Sequence, residues 1–339
     1  MIARAVRSPA ISRLKRWPPV FAGLRALVWG DFMLDEYWRC QTRRVSREAP
    51  VLVLDYETRT VQGGGAANAA LNLAALGARV TAVGWVGRDE AGRELKSQLK
   101  SAGVDVAGLI ATSSPTVVKT RIVAGDRHTA RQQVVRVDRG GPFAPSAADR
   151  RALSSALERA GRDARAVVLS DYGYDSVTPI LARTRVQAWR RRRVVVGLDA
   201  RYRLASYRGV TVATPNESEA AAAAGLAIAS ERDLARCAAR LRRALASPHL
   251  LITRGRDGLT LWNREAVSLA AWGGEEAVDV TGAGDAVVAT TTLALAAGAP
   301  ALEAAALANV AGSVAVSRRG AVPVSAAELL TALDAGGAR

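Results

Sequence analysis

Short apolar runs recur along the chain, and helix-like segments fill the gaps between them. Leu24–Trp29, Val80–Val86, Ala166–Ser170, Val194–Asp199, Val210–Ala213 and Leu250–Thr253 are rich in valine, leucine and alanine. Runs of about 4–8 apolar residues with little polar alternation read as strands buried on both faces. Glu90–Ala102, Ala147–Ala160, Val177–Arg192 and Glu231–Ala246 read as the intervening helices. Strands alternating with helices predict an α/β fold, a mostly parallel sheet with helices on both faces. Several strands end on a polar residue: Asp31, Asp171, Asp199 and, just beyond its strand, Asn216. Ligands of open α/β sheets bind at the carboxyl ends of the strands, so these four residues point to one cleft.

Two segments break the alternation. Val51–Val61 and Thr116–Val137 are rich in β-branched residues and have no helix between paired runs, so they read as antiparallel strands set apart from the main sheet. The alanine-rich run from Ala286 to Ala311 is interrupted by Gly298, Pro300 and Glu303 and reads as two packed helices. No apolar stretch reaches the ~18–20 residues that a membrane-spanning helix needs.

Composition changes this picture little. At 339 residues there is room for one large domain or two smaller ones, and 49% hydrophobic content argues against extensive disorder. The net charge of +16 first suggests a polyanion partner. It comes, however, from 43 arginines and only 4 lysines, a skew that a GC-rich genome produces. The densest cluster, Arg190–Arg193, closes a helix, where cations complement the helix dipole. Nucleic acid is therefore not the expected partner, although the surplus charge steers anionic substrates inward. Cys40 and Cys237 lack metal-ligand spacing and imply a reducing compartment, the cytoplasm. Residues 1–22 are basic and acid-free, without the apolar core of a secretory signal. They read as a loosely ordered basic extension, and a transit peptide fits the same composition.

The chemistry concentrates in Asp279-Val280-Thr281-Gly282-Ala283-Gly284-Asp285, which opens the helical run from Ala286. Small residues at a helix start leave backbone N–H groups free to face an anion, and the helix dipole adds positive charge. An acid in such a turn repels phosphate unless it takes a proton from an attacking hydroxyl. Asp285 in that role, with its own amide and those of Ala283 and Gly284 around the transferring phosphoryl group in the turn that Gly282 opens, describes a small-molecule kinase. A helix start with an acidic first turn and no catalytic role fits the same residues.

A second glycine-rich helix start, Gly63-Gly64-Gly65-Ala66-Ala67-Asn68, matches a dinucleotide fingerprint only in part. Asn68 replaces its last small residue, and no acidic ribose-binding residue stands ~20 positions on. Close backbone approach to a sugar, with Asn68 bonding hydroxyls, is the other use of this turn.

The two turns together make the chain resemble the PfkB/ribokinase family of carbohydrate kinases. The first family signature is similar to Gly63–Gly77 with Gly87 downstream, and the second to Asp279–Asp285. The resemblance runs from about Ala26 to Leu333. Within the family the chain looks most like the heptose-phosphate kinases of ADP-heptose synthesis. The segments that carry this are Gly30–Trp38, Arg44–Val51, Leu169–Tyr172 and Thr214–Glu219.

The resemblance implies a ribokinase-like domain over residues 23–335 with a β-sheet lid, at about 38–62 and 116–138, that also makes a dimer contact in many members. It implies ATP and Mg²⁺, and a monovalent cation such as K⁺ held near Asp279 and Thr281. Asn216 and Glu219 match an Asn-x-x-Glu motif that organises Mg²⁺, although a helix cap has the same spacing. Asp31, Asp35, Gly64, Gly65 and Asn68 are the expected sugar contacts. Arg44, Lys119 and Arg121 are the candidate cations for a phosphate on the acceptor. Thr253, Gly255, Gly258, Asn309 and Gly312 fall on the nucleotide side.

One departure stands out. Close relatives continue Asp-Tyr with a small residue, Lys and Gly, whereas here Asp171-Tyr172 leads into Gly173-Tyr174-Asp175. An Asp-Pro-Lys motif likewise becomes Asp199-Ala200-Arg201. The expected reaction is transfer of the ATP γ-phosphate to a sugar hydroxyl, C1 of D-glycero-D-manno-heptose 7-phosphate. The alternatives are another sugar or nucleoside kinase of the family, or a non-catalytic sugar- or nucleic-acid-binding relative. The chain is expected to be the kinase module alone, without the nucleotidyltransferase domain that some relatives carry.

Overall fold

The computed structural model describes residues 3–6, 8–125, 131–273 and 277–336. The first third holds β1 (Arg4–Ala5), α1 (Ile11–Lys15), β2 (Arg25–Gly30), β3 (Phe32–Val45), β4 (Leu52–Gly65), α2 (Ala66–Ala75), β5 (Arg79–Gly87), α3 (Glu90–Ser101) and β6 (Asp105–Thr112). Then come β7 (Val117–Gly125), β8 (Gln132–Arg139), α4 (Ala147–Arg162), β9 (Ala166–Asp171), α5 (Pro179–Arg191), β10 (Val195–Ala200), β11 (Val212–Ala213), α6 (Glu217–Ala224) and α7 (Glu231–Leu245). The last third holds β12 (His249–Thr253), β13 (Leu259–Trp262), β14 (Ala266–Leu269), α8 (Ala283–Ala296), α9 (Ala301–Val316) and α10 (Ala326–Gly336).

Among the described residues the main sheet has ten strands in the order β1-β14-β13-β12-β11-β10-β9-β2-β5-β6. Pairing is parallel except in the β12-β13-β14 meander. Alternate residues of a strand face opposite sides. On β2, Ala26 and Val28 join one core, with α2, α8, α9 and α10, while Leu27 and Trp29 join the other, with α4, α5 and α7. This two-sided burial explains the unbroken apolar runs. The strand β6 and the β13–β14 hairpin were not among the strands expected from the sequence, although the hairpin is buried on both faces.

The second sheet has four strands in the order β4-β3-β7-β8 and grows from the carboxyl end of β2 through β3. It departs from the sequence reading in two ways. The lid starts at Phe32, because β3 leaves the core directly after Asp31. Its central pair, β3 and β7, is parallel, with Asp35 opposite Lys119, and only the outer pairs are antiparallel. Residues 126–130 of the second lid segment lie outside the described residues. Helix α5 also starts later than Val177. Thr178 accepts a hydrogen bond from the Leu181 N–H, and Pro179 takes the first helical position.

The described residues of the N-terminal segment pack onto the domain, which corrects the composition-based reading of a loose extension. β1 pairs with β14 at the edge of the main sheet, and Leu14 and Phe21 are fully buried. The carboxylate of Glu303, buried at the start of α9, receives the indole N–H of Trp17 at 2.6 Å and ion pairs from Arg13 and Arg16. A basic, acid-free segment thus folds onto a buried acid far away in sequence. Among the described residues no helix is long and apolar enough to cross a membrane.

Candidate active site

Asp285 sits in the first turn of α8 and is buried. Gly282 caps the helix with φ of 82°, a left-handed conformation, and a Cβ there would lie 2.5 Å from the Asn68 amide nitrogen. Only glycine fits. Around Gly284, by contrast, nothing stands within 4 Å of an added Cβ. The amides of Gly284 and Asp285 have no acceptor among the described residues, so the α8 N-terminus faces open space with its dipole exposed.

Three side chains surround the Asp285 carboxylate. Asn68, from α2, donates to Oδ2 at 2.8 Å. The Tyr172 hydroxyl lies 3.4 Å from Oδ1 and 3.3 Å from the carboxylate of Asp199 at the end of β10. Burial raises the Asp285 pKa well above the ordinary carboxylate range; the Asp199 charge adds to this and the Asn68 donor opposes it. Asp199 is pushed up to about 7, first by burial and then by Glu219. Two acids and a tyrosine therefore share a site in which a cation or a proton is welcome.

The lid supplies the next shell. Asp35 is buried and accepts from Arg121 at 2.6 Å. A Cβ on Gly64 would lie 2.6 Å from the Asp35 carboxylate, so the triple glycine of β4 makes room for it. Lys119 is 7% exposed, has no ion pair among the described residues, and holds its ammonium 5.3 Å from the Tyr172 ring and 5.8 Å from the Tyr174 ring. Burial lowers its pKa. A buried cation resting on two aromatic faces is available to an incoming anion.

Not every expected contact points inward. Both carboxylate oxygens of Asp31 are occupied by the backbone N–H groups of Tyr172, Tyr174 and Ser176, at 2.8, 3.0 and 2.9 Å. Asp31 shapes the loop after β9, with three of its roughly four acceptor positions used by that backbone. Asp171 likewise turns away and is held by Arg203 and Tyr207. Arg44 lies exposed at the far end of β3, nine residues beyond Asp35, and among the described residues its side chain bonds the carbonyl of Val45 alone. At ~3.3 Å per residue that is about 30 Å from the cluster, so it does not join it within this chain.

On the other side of Asp199, Asn216 caps α6 by accepting from the Glu219 N–H, and Glu219 Oε2 accepts from the Asn216 N–H. The capping box leaves Glu219 Oε1 without a hydrogen-bond partner among the described residues, and the Glu219 charge is felt at Asp199. Among the described residues no group of three metal-ligating side chains forms a cage. Mg²⁺ keeps several of its waters, so one free carboxylate edge beside an acid with a raised pKa fits an ion held largely through water.

Asn216 bridges to Thr253 at the end of β12. Gly255 and Gly258 flank the next turn at φ of 56° and 83°, and a Cβ on Gly258 would strike the Leu269 carbonyl. Asn309, buried on α9, donates to the Ala270 carbonyl at 2.6 Å, and Gly312 packs on Val287. These residues line one side of the sheet's carboxyl edge, away from the lid. Asp279 accepts from the N–H groups of Thr281 and Gly320, both at 2.9 Å. Tyr172 was legible only as part of an Asp-Tyr pair at a strand end. Nothing in the sequence signalled that its hydroxyl would stand between two acids.

Comparison with known proteins agrees with this geometry. The pfkB family carbohydrate kinase profile matches residues 25–142 and 187–327, more than half of the chain. The chain is 40% identical over 311 residues to the bifunctional protein HldE of Geobacter metallireducens, covering 91% of this chain and 62% of that protein. It is 42% identical over 319 residues to the HldE of Pseudomonas aeruginosa strain UCBPP-PA14, covering 93% and 65%. The chain thus spans less than two thirds of the length of these relatives. Among solved structures, Arabidopsis thaliana ribokinase complexed with ribose and ATP superposes with a TM-score of 0.71 at 20% identity, over 92% of this chain and 99% of that one. Phosphofructokinase-2 from Escherichia coli in complex with potassium gives 0.74 at 17% identity, over 93% and 99%. At these identities the structures attest the ribokinase-like fold alone. The chain belongs to the pfkB family of carbohydrate kinases and is a phosphotransferase whose acceptor is a sugar hydroxyl.

Proposed function

We propose that the chain transfers the γ-phosphate of ATP to C1 of D-glycero-D-manno-heptose 7-phosphate. The observation that carries the transfer chemistry is Asp285, buried at an open helix N-terminus with its carboxylate steered by Asn68. Asp285 takes the proton of the attacking hydroxyl as its oxygen bonds to phosphorus. The free amides of Gly284 and Asp285 and the α8 dipole stabilise the phosphoryl oxygens in line with the attack. Asp35, with the backbone of Gly64 and Gly65, holds the acceptor's hydroxyls. Thr253, Gly255, Gly258, Asn309 and Gly312 flank the nucleotide. Asn216 and Glu219 would hold Mg²⁺ through water, where it would supply neutralisation of charge on the ATP phosphates. Asp279 and Thr281 would stand beside a monovalent cation in this reading.

The heptose phosphate rests on the segments shared with heptose-phosphate kinases and on Lys119. Tyr174 occupies the position of the relatives' lysine, and the Lys119 ammonium stands 5.8 Å from its ring. A lid cation therefore replaces the loop cation, with Arg121 beside it. The exposed apolar side chains of the lid, Trp38, Tyr56, Val134, Val135 and Val137, suit a second copy of the chain, so the working form is a homodimer through the lid.

The test is ATP turnover with Mg²⁺ across a panel of heptose 7-phosphate, ribose, fructose and nucleosides, with Asp285→Asn alongside. Turnover of heptose 7-phosphate that collapses in the variant is expected. Turnover of another sugar or a nucleoside alone, also lost in the variant, would replace the substrate and keep the base. Full activity in Asp285→Asn would remove Asp285 from the mechanism.

A further inference from the structure

Asn72 lies one helical turn beyond Asn68 on α2, is 1% exposed and, among the described residues, makes side-chain hydrogen bonds to Asn68 and Val324 alone. Its contacts form a directed series. The backbone N–H of Val324 donates to Asn72 Oδ1 at 3.0 Å. A backbone N–H can only donate, so this bond fixes which end of the Asn72 amide is oxygen. The Asn72 NH₂ group then faces Asn68 and donates to its Oδ1 at 3.1 Å and to its carbonyl at 2.9 Å. That fixes the second amide in turn and leaves the Asn68 NH₂ group, at 2.8 Å, toward Asp285. Turned the other way, Asn68 would set a carbonyl oxygen against the carboxylate, in a site already shared with Asp199, Tyr172 and Asp35.

We propose that Asn72 is a positioning residue for phosphoryl transfer: through Asn68, it selects the amide orientation that donates to Asp285. The proposal rests on Asp285 acting as the base. The segment carrying Val324, between α9 and α10, is thereby part of the catalytic support.

Asn72→Leu and Asn72→Asp separate orientation from packing. Both keep four side-chain heavy atoms branched at Cγ. The leucine removes the donor to Asn68. The aspartate keeps the acceptor for Val324 but, having no N–H, attracts the Asn68 NH₂ group away from Asp285. The expected result is a fall in kcat of about 10-fold for Asn72→Leu, the worth of one hydrogen bond to a charge, and a larger fall for Asn72→Asp, with KM for ATP little changed. The acid limb of the kcat profile should move to higher pH in both, because a carboxylate that loses a donor is harder to ionise.

A second readout needs no acceptor sugar. The chain has five asparagines, Asn68, Asn72, Asn216, Asn263 and Asn309, so ¹⁵N-asparagine labelling resolves their side-chain amides, with the Asn68 pair assigned through Asn68→Ala. The Asn68 pair should shift in Asp285→Asn and again in folded Asn72→Leu. An Asn68 pair unmoved in folded Asn72→Leu would overturn the proposal, as would equal kcat losses in the two variants with no change in the pH profile. If Asp285→Asn keeps full activity, the base assignment and this proposal fall together. If it is inactive while the Asn72 variants are not impaired, only this proposal falls.

Discussion

Two glycine-rich turns start helices in this protein, and they use glycine for opposite reasons. At α8, Gly284 opens onto space and its amide has no partner among the described residues. At α2, the turn is crowded. A Cβ on Gly65 would lie 2.7 Å from Met33 and 2.8 Å from the Asp31 carbonyl, one on Gly64 would meet Asp35, and the first helical amide, of Ala66, donates to the Asp31 carbonyl at 3.0 Å. The α8 turn leaves its amides open, as the proposed contact with the phosphoryl group requires. The α2 turn is built to press lid, sheet and helix together so that Asn68 and Asp35 arrive beside Asp285. A glycine motif alone does not say which task it performs; the neighbours of the missing Cβ do.

The comparison can be broken most sharply at Asp285. Asp285→Asn should lower kcat by ~10²–10⁴-fold with little change in thermal stability, the loss typical of a removed general base. A comparable collapse of folding in that variant would mean the α8 turn is structural, like its counterpart at α2.

The glycines give the next contrast. Gly65→Ala should cost about 2–3 kcal/mol in denaturant titration, since it combines a strained backbone with a collision. Gly284→Ala should leave the denaturation midpoint within ~0.5 kcal/mol of the parent but raise KM for ATP. Equal stability losses in the two would erase the distinction drawn above.

Asp31, which organises the crowded side, carries a pH signature of about the same size. Burial raises its pKa to about 6, against its three N–H donors. The folded chain then holds a proton that the unfolded chain, with aspartate near ~3.9, has released. Its contribution to stability is full below about pH 4 and is lost as pH rises through about 6, by about 2–3 kcal/mol. Unfolding free energies across that window should show this decline superimposed on the other titrations. Asp31→Asn should lower overall stability and flatten the step, and an unchanged step would assign it to another group.

Lys119 gives a smaller effect, confined to the acceptor. Lys119→Met should raise KM for a phosphorylated sugar about 10-fold and leave KM for ATP nearly unchanged, the loss expected for one charge-assisted contact. An unaltered KM for the sugar phosphate would move the phosphate away from the two tyrosines.

The alternation of buried runs and helical segments determined the fold class. A strand covered on both faces must be apolar throughout, and that demand is local enough to read along the chain. The turn at Gly282–Asp285 was legible for the same reason, because helix start, small residues and acid are contiguous. Tertiary structure decided what depends on residues far apart. It paired β3 with β7 in parallel, turned Asp31 and Asp171 into supports, left Arg44 at the lid's distant end, and set Tyr172 between Asp199 and Asp285. It folded the basic N-terminus onto Glu303, some 286 positions from Trp17. It also joined Asn72 to Val324 across 252 positions, so that the orientation of one amide bond reaches Asp285. Hydrogen-bond direction and the burial of single charges belong to the neighbours that packing supplies, and a linear pattern of apolar and polar residues does not encode them.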